Sequence, residues 1–336
     1  MPWAPNSGPE SAVKRPVLPS GRVPRIIRSV KQGDFERSCE NWPTGITKGF
    51  VLPYQREISR DHKACILFLL DQSYSMVEPL GGSSHRKCDE LAKAVNAWLY
   101  NMSIRASGNE GVRDYMDVGV IGYRTDQQAN PIIGPALVGP LAGRELISIT
   151  DIGNYPARID TVVQQIRDEE TGELMEFPSE SPIWVDPVAE GSTPMCHVLY
   201  HAYQILSQWI QQHPDSFPPI VIHISDGESQ DGDPVPYAEA IRGLATSDGN
   251  VLVFNCHLSM SQAEQIAFPS TPNGLPDELA RVLFHMSSVL PDSFYRNALA
   301  EGIPMSPGAR GMAFNADLVV LVKFLDMGTR AAVQLR

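Results

Sequence analysis

The stretch Ala64-Cys-Ile-Leu-Phe-Leu-Leu70, followed at once by Asp71-Gln-Ser-Tyr-Ser75, decides the fold. An unbroken apolar run of this length is the pattern of a strand buried on both faces of a parallel sheet, and it stops at a carboxylate. Downstream, Leu91, Ala94, Val95, Trp98, Leu99 and Met102 recur at offsets 0, 3, 4, 7, 8 and 11, a single stripe that predicts a helix lying on that sheet. Met116 to Tyr123 reads as a second strand, Pro194 to Gln212 as a second long helix, Ile220 to Ser225 as a third strand ending at Asp226, and Val251 to Cys256 as a fourth. From there to the C-terminus helical patterns dominate, most clearly around Phe314, Leu318, Leu321, Val322 and Leu325. Strands alternating with helices predict an α/β fold: a doubly wound, mostly parallel sheet with helices on both faces.

Outward from this core, residues 1–35 read as a basic, proline-containing flexible arm, and residues 36–61 as a leading segment. Residues 1–31 carry six basic side chains and one acidic, 6 − 1 = +5, in a chain whose net charge is −12. The arm gates the acidic insertion, meets a partner, or has no function. Between Tyr123 and Gly191 the rhythm breaks. An insertion over residues 124–190 is expected to hold a β-hairpin, Arg158–Arg167 and Glu173–Trp184 about a turn at Glu169-Glu170-Thr171-Gly172. Arg144 to Glu190 holds 11 acidic and 3 basic residues, so the insertion carries −8.

The acidic total speaks against sequence-independent binding to nucleic acid or to anionic lipid. With no apolar run long enough to span a bilayer and no signal-peptide stretch, a cytoplasmic location is expected. The five cysteines are odd in number, widely spaced and never in a C-x-x-C pair, which fits neither a disulfide framework nor a cysteine zinc site.

In a doubly wound sheet, ligands bind beyond the carboxyl ends of the strands, which directs attention to Asp71 and Asp226. In D-x-S-x-S spacing, Asp71, Ser73 and Ser75 can turn alternate side chains of a tight loop toward one point. Asp226 faces them across the crevice, and Thr193, in Gly191-Ser-Thr-Pro194 before the second long helix, offers a third hydroxyl. Two carboxylates and three hydroxyls suit a hard cation that prefers oxygen. The bland alternative for the aspartates is capping of the turns that follow them.

Taken together, the apolar strand into D-x-S-x-S, the downstream G-S-T-P-M and the apolar strand into S-D-G-E resemble a von Willebrand factor type A domain over roughly residues 62–330. The resemblance assigns that family's metal-ion-dependent adhesion site to Asp71, Ser73, Ser75, Thr193 and Asp226, with no departure at any of the five. It implies Mg²⁺, with Mn²⁺ or Ca²⁺ as substitutes, and a protein partner that completes the site with an Asp or Glu. The long insertion is similar to that of stand-alone bacterial relatives linked to tellurite resistance. Those are thought to be non-enzymatic intracellular adaptors beside a protein kinase and a phosphatase, which implies a role in stress response.

The competing function class is a metal-dependent phosphoryl-transfer or hydrolytic enzyme using Asp71. Haloacid-dehalogenase-type phosphatases keep their nucleophile after the first strand, but they want a second Asp where Ser73 stands, and neither a Walker-type phosphate loop nor G-x-G-x-x-G is present. His197 and His201 have the i, i+4 spacing of zinc ligands, but Val198 stands where H-E-x-x-H needs its base, so they read as ordinary helix histidines. Asp226, Glu228, Asp231 and Asp233 do not match an EF-hand loop. Glu228 either lends charge near the metal or is solvated, and Trp98 reads as core.

Overall fold

The computed structural model describes residues 54–81, 84–108, 111–167, 174–259, 264–300 and 304–316. The basic arm, most of the leading segment, the hairpin turn and Leu318 to Leu325 lie outside the described residues.

Strand β1 (Ala64–Asp71) is buried along its whole length. Because successive side chains point to opposite faces, Ile66, Phe68 and Leu70 join one apolar cluster while Cys65, Leu67 and Leu69 join another. Helix α1 (Lys87–Ala106) covers the first face with the predicted stripe, and Trp98 packs edge-on against Phe68 at 4.9 Å between centroids. Each such fully buried apolar side chain contributes about 1.5–3 kcal/mol, so this stripe alone fixes α1 to the sheet.

Strand β2 (Met116–Thr125) runs parallel to β1, and β3 (Pro131–Pro135) turns back antiparallel to β2, as does the two-residue β4 (Ile147–Ser148). The short helix α2 (Ile149–Asn154) adds Ile149 and Ile152 to the α1 face. Then comes the hairpin: β5 (Arg158–Arg167) pairs antiparallel with β6 (Leu174–Ile183), matching Arg158 to Ile183 and Arg167 to Leu174. The first part of the insertion therefore extends the main sheet, and the hairpin forms a separate ribbon. Its base is fixed in the core. Trp184 is buried and donates to the Ile152 carbonyl (3.0 Å), while the buried Asn96 amide accepts from Trp184 and Val185 N–H and donates back to the Val185 carbonyl.

Helix α3 (Met195–Gln212) packs on the opposite face with α4 (Val235–Gly243) and α5 (Glu278–Met286). Strands β7 (Ile220–Ser225) and β8 (Leu252–Leu258) extend the parallel core on the other side of β1. The pair β9 (Ile266–Ala267) and β10 (Met312–Ala316) closes that edge, and α6 (Asp292–Ala300) returns to the α1 face through Phe294 and Ala298. Among the described residues the sheet has eight strands, ordered β9-β10-β8-β7-β1-β2-β3 with β4 also on β2. The α/β expectation holds: a mostly parallel sheet with helices on both faces.

One expectation is corrected. The pattern around Phe314 predicts a helix, but Phe314 lies in β10, parallel to β8 with Asn255 opposite Met312. Met312, Ala313, Phe314 and Ala316 are all buried, and a short run buried on both sides carries no period that separates strand from helix.

Candidate metal centre

The carboxyl ends of β1 and β7 stand side by side, with Leu70 opposite Ile224. Asp71 is the last residue of β1 and is buried. Its Oδ1 accepts from the Ser73 N–H at 2.8 Å, which bends the chain into a tight loop, and its Oδ2 accepts from the Ser225 hydroxyl at 2.6 Å. The loop continues into a single 3₁₀ turn, Tyr74–Val77, which places Ser73 Oγ and Ser75 Oγ 3.0 Å apart. Ser75 then donates across the crevice to Asp226 Oδ1 at 2.7 Å. Four of the five predicted residues, Asp71, Ser73, Ser75 and Asp226, thus form one hydrogen-bonded cluster.

Thr193 is brought to the rim of that cluster. Its loop is stitched to the first loop by two backbone bonds, Tyr74 N–H to the Gly191 carbonyl (3.0 Å) and Glu190 N–H to the Gln72 carbonyl (2.7 Å). The Ser192 N–H donates to the Thr125 hydroxyl (2.9 Å). Gly191 has φ +69°, and a Cβ there would collide with the Thr125 carbonyl oxygen, so only glycine lets the loop pass this close. Thr193 is buried, its carbonyl accepts from Gln230 N–H, and its hydroxyl faces Gly227, beside Asp226. Pro194, where the sequence predicts the second long helix to begin, stands at the N-cap of α3, which starts at Met195.

Burial pushes the Asp71 carboxyl up to about 6, against the pull of hydrogen bonds from Ser225 and Ser73, and the Asp226 charge adds to the rise. Two carboxylates this close, out of water, call for a cation. Part of that demand is met by Lys87, the first residue of α1, whose Nζ lies 2.7 Å from Asp226 Oδ2 and 3.0 Å from Glu78 Oε2. The Asp226 side chain is 0% exposed and that of Lys87 4%. Tyr74, between the two serines in the chain, is 69% exposed.

Lys87, Glu78, Ser225 and Tyr74 belong to the site and go unnoticed in the sequence reading. Lys87 leaves one signal: a cation at the first position of a helix opposes the helix dipole, so it needs another reason to be there. Ser225 leaves another, a hydroxyl closing an apolar strand immediately before Asp226.

The donor set is oxygen only. Among the described residues no group of three or more His, Cys, Asp or Glu side chains is gathered to hold a metal ion. Two carboxylates beside hydroxyls form a donor set of the kind a hard cation prefers. His197 and His201 face separate acids: His197 Nδ1 lies 2.6 Å from Asp231, and His201 Nε2 lies 3.1 Å from Glu145. Asp231 also accepts from the Cys196 and His197 N–H groups, capping α3. A pocket of about 300 Å³ is lined by Met195, Glu228, Asp233, Leu279 and Val282 among others. Among the described residues no helix is long and apolar enough to cross a membrane.

No family model and no curated protein matches the chain. Solved structures that resemble it do so distantly. The PilB minor pilin of Streptococcus sanguinis has a TM-score of 0.41 at 11% identity, over 82% of this chain and 62% of that one. Manganese-loaded TRAP protein of Plasmodium vivax scores 0.34 at 10% identity, over 79% of this chain and 72% of that one. Three N-terminal domains of the type V pili tip protein Mfa5 of Porphyromonas gingivalis score 0.26 at 11% identity, and the chain spans 20% of their length and covers 50% of its own.

Proposed function

We propose that the chain is a non-enzymatic, divalent-cation-dependent protein-binding module of von Willebrand factor type A kind, acting as a cytosolic adaptor. The observation that carries the reading is the meeting of Asp71, Ser73, Ser75 and Asp226 in one oxygen cluster at the carboxyl ends of β1 and β7, with Thr193 at its rim. Mg²⁺ held there supplies a strong local positive charge. Two anionic ligands with neutral hydroxyls leave a dication room for one more carboxylate, and the chemistry selects a partner that offers an Asp or Glu. Exposed Tyr74 then packs against whatever carries that side chain.

Binding rather than catalysis is favoured by the state of Asp71. Both its oxygens accept hydrogen bonds from within the fold and the residue is buried, which suits a fixed ligand and not a nucleophile that must reach a phosphorus atom. The kinase and phosphatase suggested by the resemblance are candidate partners, each to be tried for an acidic side chain that reaches the crevice.

The test is affinity capture with wild type and with Asp71→Ala, in Mg²⁺ and in EDTA. The reading expects a partner retained only by wild type in Mg²⁺, with affinity falling at least about a hundredfold when the ligand is lost. Equal capture in all four arms would sink it, as would steady turnover of a phosphoester that Asp71→Ala abolishes.

A further inference from the structure

Metal binding at this site has a rival within the chain. Asp226 has two oxygens and both are taken: Oδ1 by the Ser75 hydroxyl at 2.7 Å and Oδ2 by the Lys87 ammonium at 2.7 Å. Hydroxyls can rotate and share, since each has two lone pairs beside its proton. An ammonium has no lone pair and repels a second cation, so Lys87 is the group that a dication must move or endure.

The surroundings of Lys87 offer it somewhere to go. Its Nζ already touches Glu78 Oε2 at 3.0 Å, and the Glu78 side chain is 46% exposed, so the second carboxylate lies on the solvent side of the first. The Lys87 N–H donates to the Glu78 carbonyl at 2.8 Å, which holds the two residues beside one another whatever the side chains do. A four-carbon stem with rotatable bonds lets the ammonium pass from one carboxylate to the other. The position is otherwise a poor one for lysine, because the N-terminus of α1 disfavours positive charge. A buried pair of this kind is weak grounds for stability, since desolvation offsets most of the attraction.

We propose that Lys87 is a tethered counter-cation that competes with the divalent ion for Asp226, with Glu78 as the berth to which its ammonium withdraws when the ion binds. The inference rests on the reading of the cluster as a metal centre. Without metal, Lys87 balances the crevice and keeps the loops at Asp71 and Asp226 closed on one another. With metal, the ammonium stays within a few ångströms on Glu78, lowers the affinity for the ion, and sets the concentration at which the module becomes competent to bind. The device makes two opposite predictions. Removing the ammonium tightens metal binding, whereas removing its berth weakens it.

Isothermal titration of the full chain with MgCl₂, repeated with MnCl₂, tests both. Lys87→Met is expected to bind at least about tenfold tighter than wild type, as follows from deleting a like charge beside the site. Glu78→Gln is expected to bind several-fold more weakly, and Asp71→Ala not at all. In EDTA, Lys87→Met should melt below wild type and regain the loss when Mg²⁺ is added. Lys87→Met binding no tighter than wild type overturns the counter-cation while leaving the metal centre standing, provided Asp71→Ala abolishes the wild-type signal. Should Lys87→Met fail to fold, Glu78→Gln decides, and equal or tighter binding by that variant overturns the proposal. Absence of heat in wild type, Lys87→Met and Glu78→Gln alike overturns both the inference and the metal reading.

Discussion

Two buried polar clusters lie on the same strands and are composed in opposite ways. The first is a chain across the sheet. Tyr123 on β2 donates to His223 Nε2 (2.7 Å), His223 Nδ1 donates to Asn255 Oδ1 (2.9 Å), the Asn255 amide donates to Ser287 Oγ (2.9 Å), and Ser287 donates to the Leu283 carbonyl (2.7 Å). Its four side chains are uncharged, and it touches the strand ends at one point, where Tyr123 also shares a hydrogen bond with Ser225, the residue that donates to Asp71. The second, at the strand ends, sets Asp71 and Asp226 against one ammonium. A neutral, fully paired network rigidifies a core. A cluster with more negative than positive charge, held out of water, is costly unless something else balances it. The difference separates scaffold from site without recourse to any motif, and it can be attacked from either side.

The largest expected effect concerns His223, whose burial pushes its pKa down to about 4. Because that value lies below the unfolded one of about 6.5, the neutral ring stabilises the fold fully above pH 6.5. The contribution of about 3 kcal/mol is lost as pH falls toward 4. Asp71 works in the other direction, since its folded value of about 6 exceeds the ordinary 3.8 and its ionisation costs stability as pH rises through 6. Urea denaturation in EDTA should therefore show a steeper acid loss in Asp71→Asn, where Asp71 no longer opposes His223, than in wild type. Parallel profiles would break the comparison.

A smaller effect is expected from Asn255→Leu, which leaves His223 and Ser287 without their partner at a cost of about 2 kcal/mol. Mg²⁺ affinity should not change, because the neutral chain serves the scaffold. A fall in affinity by the same factor as in a ligand variant would merge the two clusters into one. Most local is Gly191→Ala, which costs about 1–3 kcal/mol through strain at positive φ and more through the clash of its Cβ with the Thr125 backbone. Here metal affinity should fall while the acid profile stays that of wild type, since only the Thr193 loop moves.

The anionic cluster was largely legible in the sequence and the neutral chain was not. Asp71 and Asp226 announce themselves because each ends an apolar run, and in a parallel sheet run ends meet. Ser73 and Ser75 follow within a single loop. Lys87 escaped because its place depends on how α1 departs from the 3₁₀ turn, a matter of packing that no local spacing encodes. His223 and Asn255 sit inside strands that read as apolar, and their partners are 100 and 32 residues away. The hairpin was readable from its two flanking runs and the turn between them. The strand at Met312–Ala316 was not, because its pairing with β8 is decided by a non-local edge and not by any period of its own.

The account stands or falls on whether the two carboxylates at the ends of β1 and β7 hold a divalent ion together. An anomalous-difference map from a crystal of the full chain soaked in MnCl₂ addresses this directly. The account predicts one peak enclosed by Asp71, Ser73, Ser75, Thr193 and Asp226, with Lys87 Nζ drawn off Asp226 toward Glu78. No peak in that crevice at saturating Mn²⁺, with Lys87 still on Asp226, would contradict it.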